Sequence, residues 1–350
     1  MSNLAENKLD LIDNSIKDIG DLLDDGLIIT NRNGFILSAN DASREFLGKN
    51  LINQNITTFI KSKEFTNLVS KKFNENVDKE FFYQMDDVLK RSLSIRIKKL
   101  SNELIVILLL DMTLQRNLEK VRRDFVANVS HELRSPLTSL VGFIETLLSD
   151  NDIDQKSRQK FLNIMDEEAK RMNRLIDDIL SLSKVETEEH ITPSTSLSIL
   201  DPIKSVISSL DERGLSKNNK ISLINKSMDP TKPIYIIGNH DEITQVFTNL
   251  LENAIKYGFE NSEIIVDVEK NKDKEITVII TNEGEGIPQK YLERLTERFF
   301  RVDKARSRKI GGTGLGLAIV KHILIRHRAT LSIDSELNKK TSITINFPSV

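Results

Sequence analysis

Apolar residues recur every three or four positions along two long stretches in the middle of the chain. The first stretch carries Leu118, Val121, Phe125, Val129, Leu133, Leu137, Leu140, Ile144 and Leu147, and the second carries Phe161, Met165, Met172, Leu175, Ile179 and Leu182. This spacing predicts two amphipathic helices. The polar segment 149–154 between them predicts a short loop and therefore an antiparallel hairpin. Because one hairpin cannot bury both apolar stripes, we expect a four-helix bundle built from two copies of the chain.

The region before the hairpin alternates short apolar runs with turn signals. Asn33-Gly34 stands between two such runs, which is typical of a β-hairpin, and the run at 104–110 predicts a buried strand. Segments 41–47 and 64–69 predict short helices. We therefore expect a small mixed domain around an antiparallel sheet.

Helical and strand-like patterns interleave in the C-terminal part of the chain. Helices are predicted near 202–216, 240–257 and 314–327, with strands between and after them, which favours an α/β sandwich. The aperiodic Pro/Ser/Thr-rich stretch 190–200 predicts a linker. The expected order is an N-terminal helical segment (1–18), a mixed domain (19–117), a helical hairpin (118–189), a linker (190–200) and an α/β domain (201–350).

Composition narrows the function classes. The chain has 350 residues, enough for two to three domains, and its formal charge of -2 excludes a global basic field that would hold nucleic acid. The absence of Cys excludes disulfides, thiolate nucleophiles and Cys-ligated zinc or iron–sulfur sites. The longest apolar run, 104–110, is too short to cross a bilayer, so we expect a soluble, cytoplasmic chain.

His131 is the first candidate for chemistry. Helical rotation places it about 200° from Val129, away from the apolar stripe, where most His residues are simply exposed polar side chains. Its neighbours argue for more than that. Glu132 offers an acceptor for one ring nitrogen, which leaves the other free as a nucleophile. Pro136 costs a helix about 3 kcal/mol and should kink it, which suits an imidazole that meets different partners.

A second group of candidates points to a nucleotide. Asn249, Asn253 and Lys256 share one helical face, and hard oxygen ligands beside a cation suit a magnesium–phosphate pair. The loops 282–288 and 309–317 are rich in glycine, which lets backbone amides approach phosphate oxygens near a helix N-terminus. Their spacing fits neither the Rossmann fingerprint nor the P-loop, so a different nucleotide fold is required.

In this order the motifs resemble those of bacterial two-component sensor histidine kinases, from about residue 19 to the C-terminus. The similar segments are 125–138 (H box), 249–257 (N box), 282–288 (first glycine box), 297–301 (F box) and 311–317 (second glycine box). The region 19–112 resembles a PAS sensor domain. The hairpin segments 142–147 and 171–183 are similar to phosphate-regulon sensor kinases.

The resemblance implies a Bergerat-type α/β sandwich that binds ATP and Mg²⁺, and a homodimer formed through the hairpin. It implies phosphoryl transfer to His131 and then to an Asp of a partner response regulator, in phosphate-starvation signalling. Glu132 would accept the other ring proton, Lys256 and Arg301 would neutralise phosphate charge, and Asn253 would hold the metal. The implied nucleotide contacts are Asn249, Asn253, Lys256, Tyr257, Asn282, Gly284, Gly286, Ile287, Gly312, Thr313, Gly314, Leu315, Gly316 and Leu317.

Departures from the family pattern refine these expectations. Asn282 replaces the usual Asp that accepts from the adenine amino group, which predicts weakened base recognition. Ser135 replaces Thr or Asn but keeps a hydroxyl, so phosphatase activity toward the regulator is also expected. Related ATPases activate water with a Glu where this chain has Asn249, which favours transfer to a side chain over hydrolysis. With no membrane segment, the input should be cytosolic or come through a membrane phosphate-transport or accessory protein that holds the chain peripherally at the inner membrane.

Two alternatives differ in kind from a kinase. One is a non-catalytic dimeric scaffold that binds ATP as a structural ligand, and the other is an ATPase machine of the same nucleotide fold, which Asn249 and the hairpin disfavour. For the region 19–117, the absence of His and Cys excludes a His-ligated haem and a flavin–thiol adduct. We expect a protein-contact or dimerisation role there, with a small ligand as the second choice.

Overall fold

A computed structural model describes residues 20–71, 78–86, 90–100, 104–149, 153–212, 219–227, 232–270, 275–303 and 312–348. The chain divides into two compact units, Met1–Asp124 and Phe125–Val350. The predicted N-terminal helical segment (1–18) and Gly311 of the second glycine box lie outside the described residues. Within the described ranges, no helix combines the length and apolar character needed to span a bilayer.

The first unit is built around a five-stranded antiparallel sheet with the strand order β2-β1-β5-β4-β3. Its elements are β1 (Gly26–Asn31), β2 (Ile36–Ala39), α1 (Asp41–Leu47), α2 (Lys63–Ser70), β3 (Asp78–Gln84), β4 (Ser92–Lys99) and β5 (Leu104–Asp111). Gly34, with φ of 83°, lies in the turn between β1 and β2, as the Asn-Gly signal predicts. The edge strand β3 was not predicted, because its charged residues obscure the alternation that buries Phe81.

Two long helices confirm the predicted hairpin. They are α3 (Thr113–Ser149) and α4 (Gln155–Glu188). Helix α3 begins earlier than the apolar stripe. It continues through Pro136, so the proline does not divide the helix, and the Pro136 side chain is buried. Helix α4 begins where the Asp154 side chain accepts a hydrogen bond of 3.0 Å from the Ser157 amide. The division between the two units falls inside α3.

The C-terminal part is an α/β arrangement, as predicted. Its elements are β6 (Ser196–Ser198), α5 (Leu200–Glu212), β7 (Lys220–Asn225), β8 (Tyr235–Ile237), α6 (His240–Tyr257), β9 (Glu263–Lys270), β10 (Ile276–Glu283), a 3-10 helix (Gln289–Arg294), α7 (Gly316–Arg326), β11 (Thr330–Glu336) and β12 (Lys340–Phe347). Five strands form a sheet in the order β11-β12-β10-β9-β7, in which only the pair β7 and β9 is parallel. The buried faces of α5, α6 and α7 join the sheet in one hydrophobic core.

The stretch predicted as a linker, 190–200, is partly ordered secondary structure. Strand β6 lies within it and pairs antiparallel with β8, and α5 already begins at Leu200. The Gly238 amide also donates to the Thr195 carbonyl at 2.8 Å. A three-residue strand is too short to show a period, which is why composition alone suggested an unstructured segment.

Candidate functional site

Helix α6 separates apolar and polar residues onto opposite faces. At its start, the Asn239 side chain accepts hydrogen bonds from the amides of Asp241 and Glu242 at 3.0 and 3.2 Å, which caps the first turn of the helix. Its apolar face is buried in the core through Ile243, Val246, Phe247, Leu250, Leu251 and Ala254. This anchoring turns the opposite face, with Asn249 and Asn253, toward a cavity.

The cavity has a volume of about 540 Å³. The predicted site residues in its wall are Asn249, Asn253, Lys256, Tyr257, Asn282, Gly286, Ile287, Arg301, Gly312, Thr313, Gly314, Gly316 and Leu317. Apolar side chains of the sheet, among them Ile280, Ile333 and Ile343, complete it. A wall that combines apolar side chains with amides, hydroxyls and cations suits a ligand with a flat apolar part and an anionic part.

Two glycines of the wall are required by the backbone. Gly286 and Gly314 have φ of 70° and 77°. A Cβ on Gly314 would also lie 3.0 Å from the backbone of Phe299, and one on Gly286 would lie 2.4 Å from the Glu336 carbonyl oxygen. Both loops therefore depend on the conformational freedom of glycine to approach their neighbours.

Two predicted nucleotide contacts are not in the cavity wall. The backbone at Gly284 packs so closely against the end of α6 that a Cβ would lie 2.6 Å from the Tyr257 carbonyl oxygen. Leu315 is fully buried in the hydrophobic core. Both residues pack beside the cavity, and their contact with a nucleotide stays a prediction.

The second hairpin helix contributes cavity residues that the motifs did not reveal. Arg174, Asp177 and Asp178 of α4 line the cavity. The Thr313 hydroxyl donates a hydrogen bond of 2.6 Å to Asp178 Oδ2. Burial raises the pKa of the Asp178 carboxyl, while the Thr313 hydrogen bond acts against this rise. The helical period puts Arg174 and Asp178 on one face, but nothing in the local pattern says that this face meets a loop 135 residues away.

His131 lies exposed on α3, as the helical rotation predicts. It lines an open groove together with Glu132, Ser135 and, from the segment after β10, Phe299 and Arg301. The Glu132 carboxylate is next to His131 along the chain, but its contacts in the structure are with two guanidinium groups. Its Oε2 atom accepts hydrogen bonds from Arg171 Nη2 at 3.0 Å and from Arg301 Nη2 at 3.2 Å.

Arg301 belongs to the walls of both the cavity and the His131 groove. Its side chain is 5% exposed, and Nη2 also donates to the Thr313 carbonyl oxygen at 2.7 Å. Arg301 Nε and Asn249 Nδ2 are buried donors without a hydrogen-bond partner among the described residues. Buried donors are rarely left unpaired, so the two atoms fit a ligand that brings anionic oxygens. The Asn253 amide oxygen beside such oxygens fits Mg²⁺.

Comparisons with known proteins identify the helical hairpin and the C-terminal α/β part. Residues 121–188 match the family described as His Kinase A (phospho-acceptor) domain. Residues 238–350 match the family described as Histidine kinase-, DNA gyrase B-, and HSP90-like ATPase. The sensor protein kinase WalK of Staphylococcus aureus is 33% identical over 335 residues, which cover 93% of this chain and 79% of that relative. The chain belongs to the bacterial two-component sensor histidine kinases.

Other relatives in this family are longer than the chain. WalK of Bacillus subtilis is 33% identical over 93% of this chain, and the phosphate regulon sensor protein PhoR of Pseudomonas aeruginosa is 39% identical over 69% of it. In both cases the chain covers 53% of the relative, so it spans about half the length of these curated proteins.

A solved structure supports the fold. Histidine kinase ThkA, determined in complex with response regulator protein TrrA, is similar with a TM-score of 0.52 at 21% identity, covering 93% of this chain and 96% of that one. The predicted family, the helical hairpin and the ATP-binding α/β fold are thus confirmed. The PAS assignment of the first unit stays a prediction.

Proposed function

We propose that this chain is an ATP-dependent protein-histidine kinase that phosphorylates its own His131 and passes the phosphoryl group to an Asp of a response regulator. The observation that carries the proposal is the position of Arg301. One guanidinium belongs to the walls of both the cavity and the His131 groove, and its Nη2 contacts Glu132 and the Thr313 carbonyl. A phosphoryl group that leaves the cavity toward His131 would pass a buried cation.

The residues of the cavity and of the His131 groove account for each bond and each proton of the transfer. A ring nitrogen of His131 attacks the γ-phosphorus, the bond from this phosphorus to the bridging oxygen breaks, and ADP leaves. The proton on the other ring nitrogen goes to Glu132 or to water. Lys256 and Arg301 stabilise the charge on the phosphoryl oxygens, since both line the cavity. Mg²⁺, held by the Asn253 oxygen, would supply Lewis-acid polarisation of the phosphates when bound.

Side-chain chemistry favours transfer over hydrolysis. Asn249 occupies the α6 position at which related ATPases carry a water-activating Glu, and an amide cannot remove a proton from water. Asn282 lines the cavity near the apolar sheet residues, and its amide oxygen would accept from the adenine amino group with weaker recognition than a carboxylate. We extend the proposal to phosphatase action on the phosphorylated regulator, for which the Ser135 hydroxyl in the His131 groove would position water.

The hairpin surface supports self-association. Large apolar side chains of α3 and α4 remain exposed in the single chain, among them Leu118, Val126, Leu137, Val141, Ile144, Leu148, Leu162, Ile176 and Leu180. Exposed apolar surface of this extent indicates a protein interface. We propose that two chains bury it in a four-helix bundle.

The response regulator is proposed from family membership and from the ThkA structure, in which a histidine kinase is bound to a response regulator protein. A phosphate-starvation role is proposed from the similarity to PhoR, although WalK relatives match more of the chain. A membrane phosphate-transport or accessory partner remains part of that proposal.

The first experiment is to incubate the purified chain with ATP labelled at the γ-position and Mg²⁺. The proposal predicts a phosphoryl label that is stable in alkali and labile in acid. The substitution His131→Gln should abolish the label while ATP binding is retained, because the imidazole takes part in transfer but does not line the cavity. His190→Gln is the matched control, since His190 is exposed near the end of α4, and it should retain full labelling.

A label that persists in His131→Gln would contradict the assignment of the nucleophile. ATP binding by the unmodified chain without any label, also in a fragment that begins near Leu118, would favour the non-catalytic scaffold instead.

A further inference from the structure

An acidic side chain of the hairpin lies in the wall of the cavity that the proposed function assigns to ATP. Asp178 of α4 shares this wall with Asn253, Lys256 and Thr313. Its Oδ2 atom accepts a hydrogen bond of 2.6 Å from Thr313 Oγ1. An amide, an ammonium and a hydroxyl are groups that hold phosphate oxygens, so the carboxylate uses a donor that an anionic ligand would also use.

The charges around Asp178 also act against the binding of an anionic ligand in this cavity. Burial raises the pKa of its carboxyl, Thr313 and Lys256 act in the opposite direction, and the neighbouring carboxylates Glu252 and Asp177 raise it further. Asp177 and Glu252 also line the cavity, so an anionic ligand meets several acidic side chains there. A triphosphate that enters the same cavity adds like charge, and the repulsion is strong because the surroundings are partly shielded from water.

Contacts outside the cavity keep α4 close to this wall. Glu186 pairs with Arg298 at 2.6 Å, Glu188 with Arg326 at 3.0 Å and Glu189 with His322 Nδ1 at 2.6 Å. The three carboxylates lie at the C-terminal end of α4, and none of these residues lines the cavity. Asp178 is thus held beside Thr313 by interactions that do not depend on the nucleotide.

We propose that Asp178 competes with the phosphates of ATP for the Thr313 hydroxyl, so that ATP binding and the contact of α4 with Thr313 oppose each other. The inference rests on the proposed function in that ATP is the ligand. Coupling between two binding events is reciprocal, so ATP loosens the contact and any signal that tightens the contact lowers ATP affinity. Through Asp178, the affinity for the nucleotide depends on how closely α4 approaches Thr313.

The test is titration calorimetry of the full chain with Mg²⁺–ATP and, separately, with adenosine. In Asp178→Asn the side-chain oxygen still accepts from Thr313, so the fold is retained and only the charge is lost. The variant should bind ATP about tenfold more tightly, while its affinity for adenosine stays unchanged, because only the phosphates meet the carboxylate. Asp166→Asn, which removes an exposed charge on the same helix, should change neither affinity.

Three outcomes would overturn the inference. An unchanged ATP affinity in Asp178→Asn would show that the carboxylate does not compete, and a weaker affinity would show that it helps to bind the metal–nucleotide complex. An equal gain for adenosine would show a general opening of the cavity. If the unmodified chain bound neither ligand, the proposed function itself would fail, which is a distinct result.

Discussion

The polar side chains near the start of α6 and those in its C-terminal half lie in different surroundings. At the N-terminal end, Arg326 is 8% exposed and pairs with Glu242 and Glu188, while the buried ring of His327 accepts from the Asn239 amide at 3.0 Å. In the C-terminal half of α6, Asn249, Asn253 and Lys256 line a cavity, and the Asn249 Nδ2 donor finds no partner in the described part of the chain.

The polar side chains of this one helix therefore divide into a group that stabilises the fold and a group that is available to a ligand. Polar groups at the N-terminal end pair with each other, although Glu242 Oε2, 3.8 Å from His327 Nδ1, has no hydrogen-bond partner among the residues that the structure describes. At the cavity, Lys256 donates to Glu252, but Asn249 Nδ2 has no partner among the described residues and fits an acceptor that a ligand brings. Substitutions at the first end should therefore change stability, and substitutions at the second should change binding.

The largest effect is expected from Arg326→Met. The variant leaves the buried Glu242 carboxylate without its cation and removes the hydrogen bond from Arg326 Nε to the Ile191 carbonyl. Breaking a buried pair on one side typically costs about 3–5 kcal/mol. Urea unfolding followed by circular dichroism should show this loss, whereas Lys321→Met, an exposed cation on the same helix, should stay within about 0.5 kcal/mol of the parent. Equal stability of the two variants would refute a structural role for this cluster.

Asn253→Ala should show the reverse behaviour at the cavity end. Loss of the amide oxygen should weaken Mg²⁺-dependent ATP binding by at least about tenfold, or 1.4 kcal/mol. Stability should not fall, because Ala is the better helix former and the Asn253 side chain faces the cavity instead of the core. Titration calorimetry measures the affinity, and Asn173→Ala on the exposed side of α4 is the control. Unchanged ATP affinity would remove Asn253 from the metal site.

The smallest effect is a pH dependence of the free energy of unfolding, which comes from His327 beside the N-terminal end of α6. Burial lowers the pKa of His327 below its usual value of 6.5, with Arg326 acting in the same direction and the Ile323 carbonyl opposing it. The ring therefore takes up a proton at a lower pH in the folded state than in the unfolded state, where it does so below about pH 6.5. The contribution of His327 to stability is present above this pH and is lost as the pH falls, by at most about 1.4 kcal/mol per pH unit for one proton.

His327→Gln removes this titration. Urea midpoints measured between about pH 7.5 and 5.5 should fall less steeply than in the parent chain. His240→Gln, which changes an exposed imidazole at the start of α6, should keep the parental slope. Glu242 titrates nearby with a pKa raised by burial, so the difference between variant and parent is the informative quantity. Parallel curves for His327→Gln and the parent would contradict the assignment.

Local patterns were sufficient for the long elements and for most of the cavity wall. The period of three and four residues predicted α3, α4 and α6, and the spacing of Asn249, Asn253 and Lys256 placed them on the face that lines the cavity. The edge strand β3 and the short strand β6 were missed, because charged residues or a length of three residues conceal the period of a strand.

The amino-acid sequence alone thus determined the helices and most strands, the exposed position of His131 and the loops that need glycine. These features depend on residues close together in the sequence and on backbone sterics. The folded arrangement decided that Glu132 meets two arginines, that Arg301 lines both the cavity and the His131 groove, and that Asp178 reaches Thr313. These contacts join residues 39 to 169 positions apart. They depend on how helices and loops pack against each other, and no periodicity within one element encodes that packing.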